Sequence, residues 1–298
     1  MVKTHILKVA MLCATLALVS FSTSKSFAGT DTTDAKKEVK PLAPELTKSC
    51  ITGDLGVNVV SAYFSRGILQ ENQSFIIEPY ADLYFKLYEG DGFLNSATLN
   101  LGVWDSAHEE HTGAIGTGSS TSAWYESDVT SGISLTFAKI FTFTPSYYAY
   151  LSPNDAFATF QGINLNLAVD DSQWLGAFAL HPHFTTLFEL SNKAGLGSTK
   201  GVYYEVGVAP ALPTFAGLTV SFPLTVGFGS HGFYAGDGFG YFSAGANASY
   251  ALSFIPSCLG SWALNGSATY YYLHDNVATA DLGRHNDFVF SGGFGLTF

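Results

Sequence analysis

Charge is what this sequence has least of. Asp, Glu, Lys and Arg make up 12% of its 298 residues, about half the share in an ordinary soluble domain. Positive charge is scarcest. The chain has 13 Lys and Arg against 24 Asp and Glu. Residues 1–49 hold seven of the basic and four of the acidic groups, so six and twenty remain from Cys50 onward, a net charge of −14. A nucleic-acid-binding surface needs the opposite sign. Cysteine is nearly absent, at 3 residues, and no Cys-x-x-Cys pair exists to hold a metal. No glycine-rich phosphate loop or acidic motif points to a cofactor. Beyond residue 28 no apolar run reaches about 18 residues, which excludes membrane-spanning helices.

What the chain has instead is aromatic residues, 15% of the total, and 31 glycines. They are arranged with a period of two. In the final segment, Phe288 to Phe298, even positions carry Phe, Phe, Gly, Phe, Leu and Phe, and odd positions carry Val, Ser, Gly, Gly and Thr. Such alternation marks a strand with one apolar face. An exposed edge of this kind invites aggregation in water. It is stable if the apolar face meets lipid and the edge closes on the first strand of the same chain. A soluble β-sandwich or a secreted β-solenoid would have to hide too many outward Phe and Leu side chains.

The beginning of the chain agrees. Lys3 and Lys8 precede or begin an apolar stretch, Val9 to Phe21, and Ser26-Phe27-Ala28 offers a small-x-small cleavage site. Residues 1–28 therefore read as a signal peptide, too short for a membrane helix. Residues 29–49, with Lys36-Lys37, Pro41 and Pro44, read as a flexible periplasmic linker. Residues 50–298 are then an all-β domain: a transmembrane antiparallel β-barrel of about twelve strands, closed and up-and-down.

The strands are expected at 53–66, 75–88, 95–104, 126–137, 140–151, 158–169, 177–190, 201–209, 217–228, 240–254, 262–273 and 288–298. In 75–88 the odd face is Ile77, Pro79, Ala81, Leu83, Phe85 and Leu87, against Glu78, Tyr80, Asp82, Tyr84 and Lys86. The apolar faces should meet lipid and the polar faces the interior. Long polar connections at 105–125, 191–200, 229–239 and 274–287 alternate with shorter ones at 138–139, 170–176, 210–216 and 255–261. Outer-membrane barrels have long external loops and short periplasmic turns, so both chain ends should be periplasmic. Trp104, Trp124, Tyr125, Trp174 and Trp262 fall near expected strand ends, as interfacial aromatic girdles do.

The same parity selects the lumen residues. Arg66, Glu78, Asp82 and Lys86 should point inward with Tyr80 and Tyr84, followed by Glu126, Asp128, Glu189 and Glu205. Rings of such charges filter solutes by sign and size, although ion pairs that merely satisfy one another would leave the same pattern. His181 and His183, two apart on one expected strand, should both line the pore. No further ligand is fixed beside them, so no metal is assigned. His108-Glu109-Glu110-His111 reads as part of a solvated outer loop. No Ser and His two apart are found near a strand end, so no nucleophile–base pair is assigned and no catalytic residue is expected. After loss of the signal peptide only Cys50 and Cys258 remain, both on the periplasmic side. In that oxidising compartment they are expected either to pair across the barrel seam or to remain two free thiols.

Asn58, Ser61, Tyr63, Arg66, Gly67 and Ile68, followed by Pro79 in the next strand, resemble the opening of the TorF-type family of outer-membrane porins, whose pattern runs roughly N-x-x-S-x-Y-x-x-R-G-I. The resemblance covers about fifty residues. Ala62 stands where that family commonly carries an acidic residue, and Ile77-Glu78-Pro79 replaces its usual glycine-rich pairing. The C-terminal strand resembles outer-membrane barrels in general, where it serves as the signal to the assembly machinery. The resemblance implies a porin.

Residues and resemblance together give one expectation: a bacterial outer-membrane channel, exported through the inner membrane, passing small hydrophilic solutes with a weak cation preference. Its expected surroundings are lipid and lipopolysaccharide. Two other readings differ in kind. One is a structural or adhesive barrel with a blocked lumen, and the other an outer-membrane hydrolase.

Overall fold

The computed structural model of the chain describes residues 49–108, 123–236 and 238–298. The expected signal peptide, the linker up to residue 48, and Glu109, Glu110 and His111 lie outside the described residues. No described helix is long and apolar enough to cross a membrane.

The strands are β1 (Ile51–Val60), β2 (Tyr63–Ser65), β3 (Ile68–Glu71), β4 (Ile76–Glu89), β5 (Leu94–His108), β6 (Trp124–Phe137), β7 (Phe141–Leu151), β8 (Phe160–Val169), β9 (His183–Ser191), β10 (Val202–Val208), β11 (Leu218–Ser221), β12 (Leu224–Gly229), β13 (Gly238–Ala251), β14 (Ser261–Leu273) and β15 (Asn286–Thr297). Each barrel strand pairs antiparallel with its neighbours, and β15 pairs with β1 to close the ring. At the seam Gly53 and Phe298 exchange backbone hydrogen bonds of 2.9 and 3.0 Å. β11 and β12 both pair with β13 and together form one stave, interrupted at Phe222-Pro223. Proline has no N–H to give to a ladder, but its carbonyl still accepts from Gly245 N–H at 2.8 Å. β2 and β3 pair only with each other. The result is a closed barrel of 12 staves.

Alternation dictates which face is which. Leu55, Val59, Ile77, Leu101, Val129, Ile133, Phe184, Phe188, Phe290 and Phe294 are exposed on the outside, as a lipid-facing surface requires. Their neighbours in sequence point into the lumen. Closure of β15 on β1 leaves the ring without an open seam, the condition for crossing a bilayer with strands. The turns 90–93, 138–140, 170–182, 209–217 and 252–260 share one end with the start of β1 and the end of β15. The other end carries 61–75, 152–159, 192–201, 230–236 and 274–285.

Several expected boundaries move. The first strand leaves the wall at Val60, and 61–75 folds inward. β5 runs to His108 and β6 starts at Trp124, which shortens the connection between them. β9 begins at His183 rather than residue 177. Asp171 holds the preceding turn off the ladder: its carboxylate accepts the backbone N–H of His181 at 2.9 Å and of Leu180 at 3.1 Å. Asp170 likewise accepts from Ser172 N–H at 3.0 Å. These are the local side-chain bonds by which Asp competes with regular structure. Trp104 and Tyr125 are not girdle residues. Both are buried inside the barrel, whereas Trp174 is exposed and Trp262 stacks on Phe294.

Candidate functional site: the lumen

At the end that holds the start of β1 and the end of β15, the inner wall is polar. Asn100 donates to Ser134 Oγ at 2.7 Å, and Ser134 meets Thr144 at 2.9 Å, a run that crosses β5, β6 and β7. Thr136 and Thr142 meet at 3.2 Å, Asn166 donates to Thr185 at 2.8 Å, and Ser267 and Ser291 meet at 2.7 Å. Asp54 and Asp82 stand opposite one another on β1 and β4. Asp54 accepts from Thr297 Oγ1 and Asp82 from the Tyr84 hydroxyl at 2.8 Å. Tyr80 lies one row further in, opposite Gly56 and Trp104. Lys86 sits near the rim, paired with Glu89 at 2.7 Å.

The far end of the lumen is aromatic and dry. Val60, Tyr63, Ile76, Trp104 and Tyr125 form one buried cluster. Ile68, Tyr150, Phe160, Leu187, Tyr203, Tyr241 and Leu273, with Phe233, Tyr234 and Val277 from the folded-in connections, form a second. Phe157 packs against both, and Ala62 and Leu69 pack with Val289 of β15. Every stave except that of β11 and β12 contributes to these clusters. They fill the barrel interior at this level with packed side chains.

The hairpin of β2 and β3 crosses the middle of this layer. The Tyr63 hydroxyl donates to Glu126 Oε2 at 3.0 Å, and its ring lies 5.1 Å from that of Trp104. Phe64 stacks on Tyr271 at 4.8 Å. Arg66 (φ 51°) and Gly67 (φ 79°) make the turn. A Cβ on Gly67 would come within 2.6 Å of the Tyr241 ring, so both backbone angle and space demand glycine there. The Arg66 guanidinium donates to the Tyr150 hydroxyl and lies over the rings of Tyr150 and Tyr203, 5.5 and 5.6 Å from their centroids. Of the motif residues, Tyr63, Arg66, Gly67 and Ile68 fall in this hairpin, while Asn58 lies in β1 and Ser61 bonds to β15.

The charges divide between the two zones. Glu78 is on the inner face of β4, opposite Asn58. Glu126 and Asp128 are buried on β6, close enough to Arg66 to feel its charge. Glu205 gathers three partners: the Tyr203 hydroxyl, the Tyr241 hydroxyl at 3.2 Å, and His183 Nε2 at 3.3 Å. Glu189 organises a connection instead, accepting backbone N–H groups from Ala194, Gly195 and Gly201 at 2.6, 3.0 and 2.6 Å.

Three expectations are corrected. His181 does not line the pore from a strand. It lies in the turn before β9 at φ 49°, 3.9 Å from both Asp170 and Asp171, because Asp171 holds that turn. Burial alone would push the Asp171 carboxyl up, but the N–H groups of His181 and Leu180 outweigh it and hold the carboxyl below its ordinary range. The Cys50–Cys258 bond is not formed, and both thiols are free and exposed. Cys50 O accepts from Lys86 N–H at 2.8 Å, which ties it to the β4 side of β1, while β15 separates β1 from the turn that carries Cys258. Finally, a Ser–His pair two residues apart does exist. The extension of β5 puts Ser106 Oγ 2.8 Å from His108 Nε2 on the inner face. The signal was present in the sequence, since Trp104, Ser106 and His108 continue the inward parity of β5. Their exposures are 0% and 2%, so neither reaches a substrate. His108 Nδ1 has no hydrogen-bond partner among the described residues, and hence no orienting third group there. Among the described residues no three His, Cys, Asp or Glu side chains are grouped to hold a metal ion.

No family model and no curated protein matches this chain. Solved structures similar to it include an outer-membrane channel from Pseudomonas putida F1, at 12% identity and TM-score 0.47 over 88% of this chain and 100% of that one. The NanC porin is similar at 12% identity and TM-score 0.44, over 82% and 98%. The outer membrane phospholipase A of Escherichia coli is similar at 12% identity and TM-score 0.42, over 82% and 92%. These proteins differ in activity, and the likeness assigns none of their activities to this chain.

Proposed function

We propose that the chain is an outer-membrane channel for passive passage of small hydrophilic solutes, with a weak preference for cations. One observation carries this reading: an apolar exterior encloses a lumen whose terminal half is lined by hydroxyls, amides and carboxylates. Such a wall gains nothing in lipid and stays hydrated, and a hydrated lumen is what solutes need. In this reading the terminal end faces the periplasm, reached by export through the inner membrane. Phe288 to Phe298 addresses the barrel to the assembly machinery. The outer band contacts lipid and, on the external leaflet, lipopolysaccharide. Inward Asp54, Asp82 and Glu205 outnumber Arg66 and Lys86, and negative walls raise the local cation concentration.

The aromatic layer favours a second reading, a barrel with a permanently blocked lumen that acts through its outer connections. Recording from the purified protein in planar bilayers separates the two. Discrete current steps support the channel. Correctly folded protein that passes no current, with or without residues 61–75, supports the blocked barrel.

A further inference from the structure

We propose that residues 61–75 are a hinged plug and that Arg66, at its tip, is the latch that holds the plug shut. The proposal rests on the channel reading above and specifies how such a channel opens.

The hairpin is in the barrel but not of it. β2 and β3 form a separate two-stranded sheet. The last backbone bonds between this part of the chain and the wall are at Ser61, whose N–H donates to Phe290 O at 2.9 Å and whose Oγ accepts from Phe290 N–H at 2.9 Å. Beyond it, among the described residues, no backbone–backbone bond joins 62–70 to a stave. What holds the plug is side chains: the apolar packing of Ala62, Phe64, Ile68 and Leu69, and the polar contacts of Tyr63 with Glu126, Tyr125 with Gln70 at 2.8 Å, Tyr234 with the Arg66 carbonyl at 2.7 Å, and Arg66 with Tyr150. Without ladder bonds to the wall, the hairpin can leave it as a unit while the staves stay paired, the kind of local opening that proteins undergo below their global stability. On the return leg Glu71 Oε1 accepts the N–H groups of Asn72 and Gln73 at 2.9 and 2.7 Å. That pins a tight turn in front of β4, so the plug swings about 61–62, where the chain leaves the wall.

The latch is a cation held by π faces. Among the described residues no carboxylate lies within ion-pair distance of Arg66. Its guanidinium is gripped by the Tyr150 hydroxyl, by the faces of Tyr150 and Tyr203, and by Ser65 Oγ at 3.4 Å. Such contacts are attractive but weaker than a buried ion pair, so the latch is reversible. The closed layer also confines acidic groups. Asp128 is 1% exposed, and its Oδ1 has no hydrogen-bond partner among the described residues. A buried oxygen without a hydrogen-bond partner disfavours the state that buries it. Hydration on opening relieves that cost, and the Arg66 contacts oppose it. The two states are balanced by the groups the hairpin brings together.

The experiment is single-channel recording of the full-length protein in planar bilayers, comparing wild type, Arg66→Ala, and a variant in which 62–73 are replaced by a short Gly-Ser linker. Heat-dependent gel mobility confirms folding in each case. The expected result is a mostly closed wild type, an Arg66→Ala variant with its open fraction raised about tenfold, as loss of a cation–π contact and a charged hydrogen bond implies, and a linker variant that is steadily open. If Arg66→Ala gates like wild type while the linker variant is open, Arg66 is not the latch and the proposal is overturned. It is equally overturned if the wild type is steadily open and removal of 62–73 changes nothing. A folded linker variant that carries no current refutes the channel reading itself.

Discussion

Single residues decide whether the plug fits. Gly67 turns the hairpin at φ 79° beneath the Tyr241 ring. Gly67→Val combines an unfavourable backbone angle with a clash and is expected to cost roughly 1–3 kcal/mol. A lower urea midpoint for unfolding in micelles checks this. Tyr63→Phe leaves Glu126, 5% exposed, without the hydroxyl that faces it and is expected to cost about 1–3 kcal/mol in the same assay. Asp171 gives a pH-dependent expectation. Its folded carboxyl is held low by two N–H groups, so its contribution to the 170–182 turn is full above the unfolded pKa of about 3.9 and is lost as pH falls through the lowered value. Amide exchange at Leu180 and His181, read between about pH 5 and pH 2 relative to other turn amides, should accelerate on acidification; unchanged relative protection would contradict it. At this scale the sequence was partly legible. Parity faces Glu78, Asp82, Glu126 and Asp128 inward because they sit in uninterrupted strands. It misplaces His181, because an Asx-type turn takes precedence over alternation. It passes over Ser106 and His108, because the polar run Asp105-Ser106-Ala107-His108 looks like the start of a loop.

At the scale of the element, the period of two located the staves because each faces lipid on one side and water or packed side chains on the other. β15 shows the consequence. Phe288, Phe290 and Phe294 are exposed outward, while Ser291 meets Ser267 inside at 2.7 Å. Phe290→Arg places a charge against hydrocarbon and is expected to destabilise the barrel by roughly 2–4 kcal/mol if it lies near the midplane; denaturant titration in lipid vesicles measures it. Alternation could not show where the first strand leaves the wall. Ala62, Tyr63, Phe64 and Ser65 continue the pattern of β1, and what turns them inward is the room inside a ring of 12 staves. That room becomes apparent only once the ring has closed. The division at Pro223 has the same character: the stave survives the break because Phe222 N–H reaches Pro210 O at 2.8 Å, a partner far away in sequence.

For the whole molecule, the account describes a barrel with two unlike halves, a polar vestibule at the terminal end and an aromatic plug at the other. The excess of inward carboxylates predicts a reversal potential that favours cations at low salt and fades at high salt, where screening shortens the reach of fixed charges; a low-salt preference for anions would contradict the assignment. The asymmetry itself is tested most directly by chemical access to the vestibule. Ser134 lines it. With Cys50 and Cys258 replaced by serine, Ser134→Cys provides a single thiol for a bulky, membrane-impermeant maleimide. The account predicts rapid labelling once the periplasmic face is opened to the reagent, and labelling about tenfold slower or less in intact cells, where the reagent must pass the plug. Equal rates from both sides would contradict it.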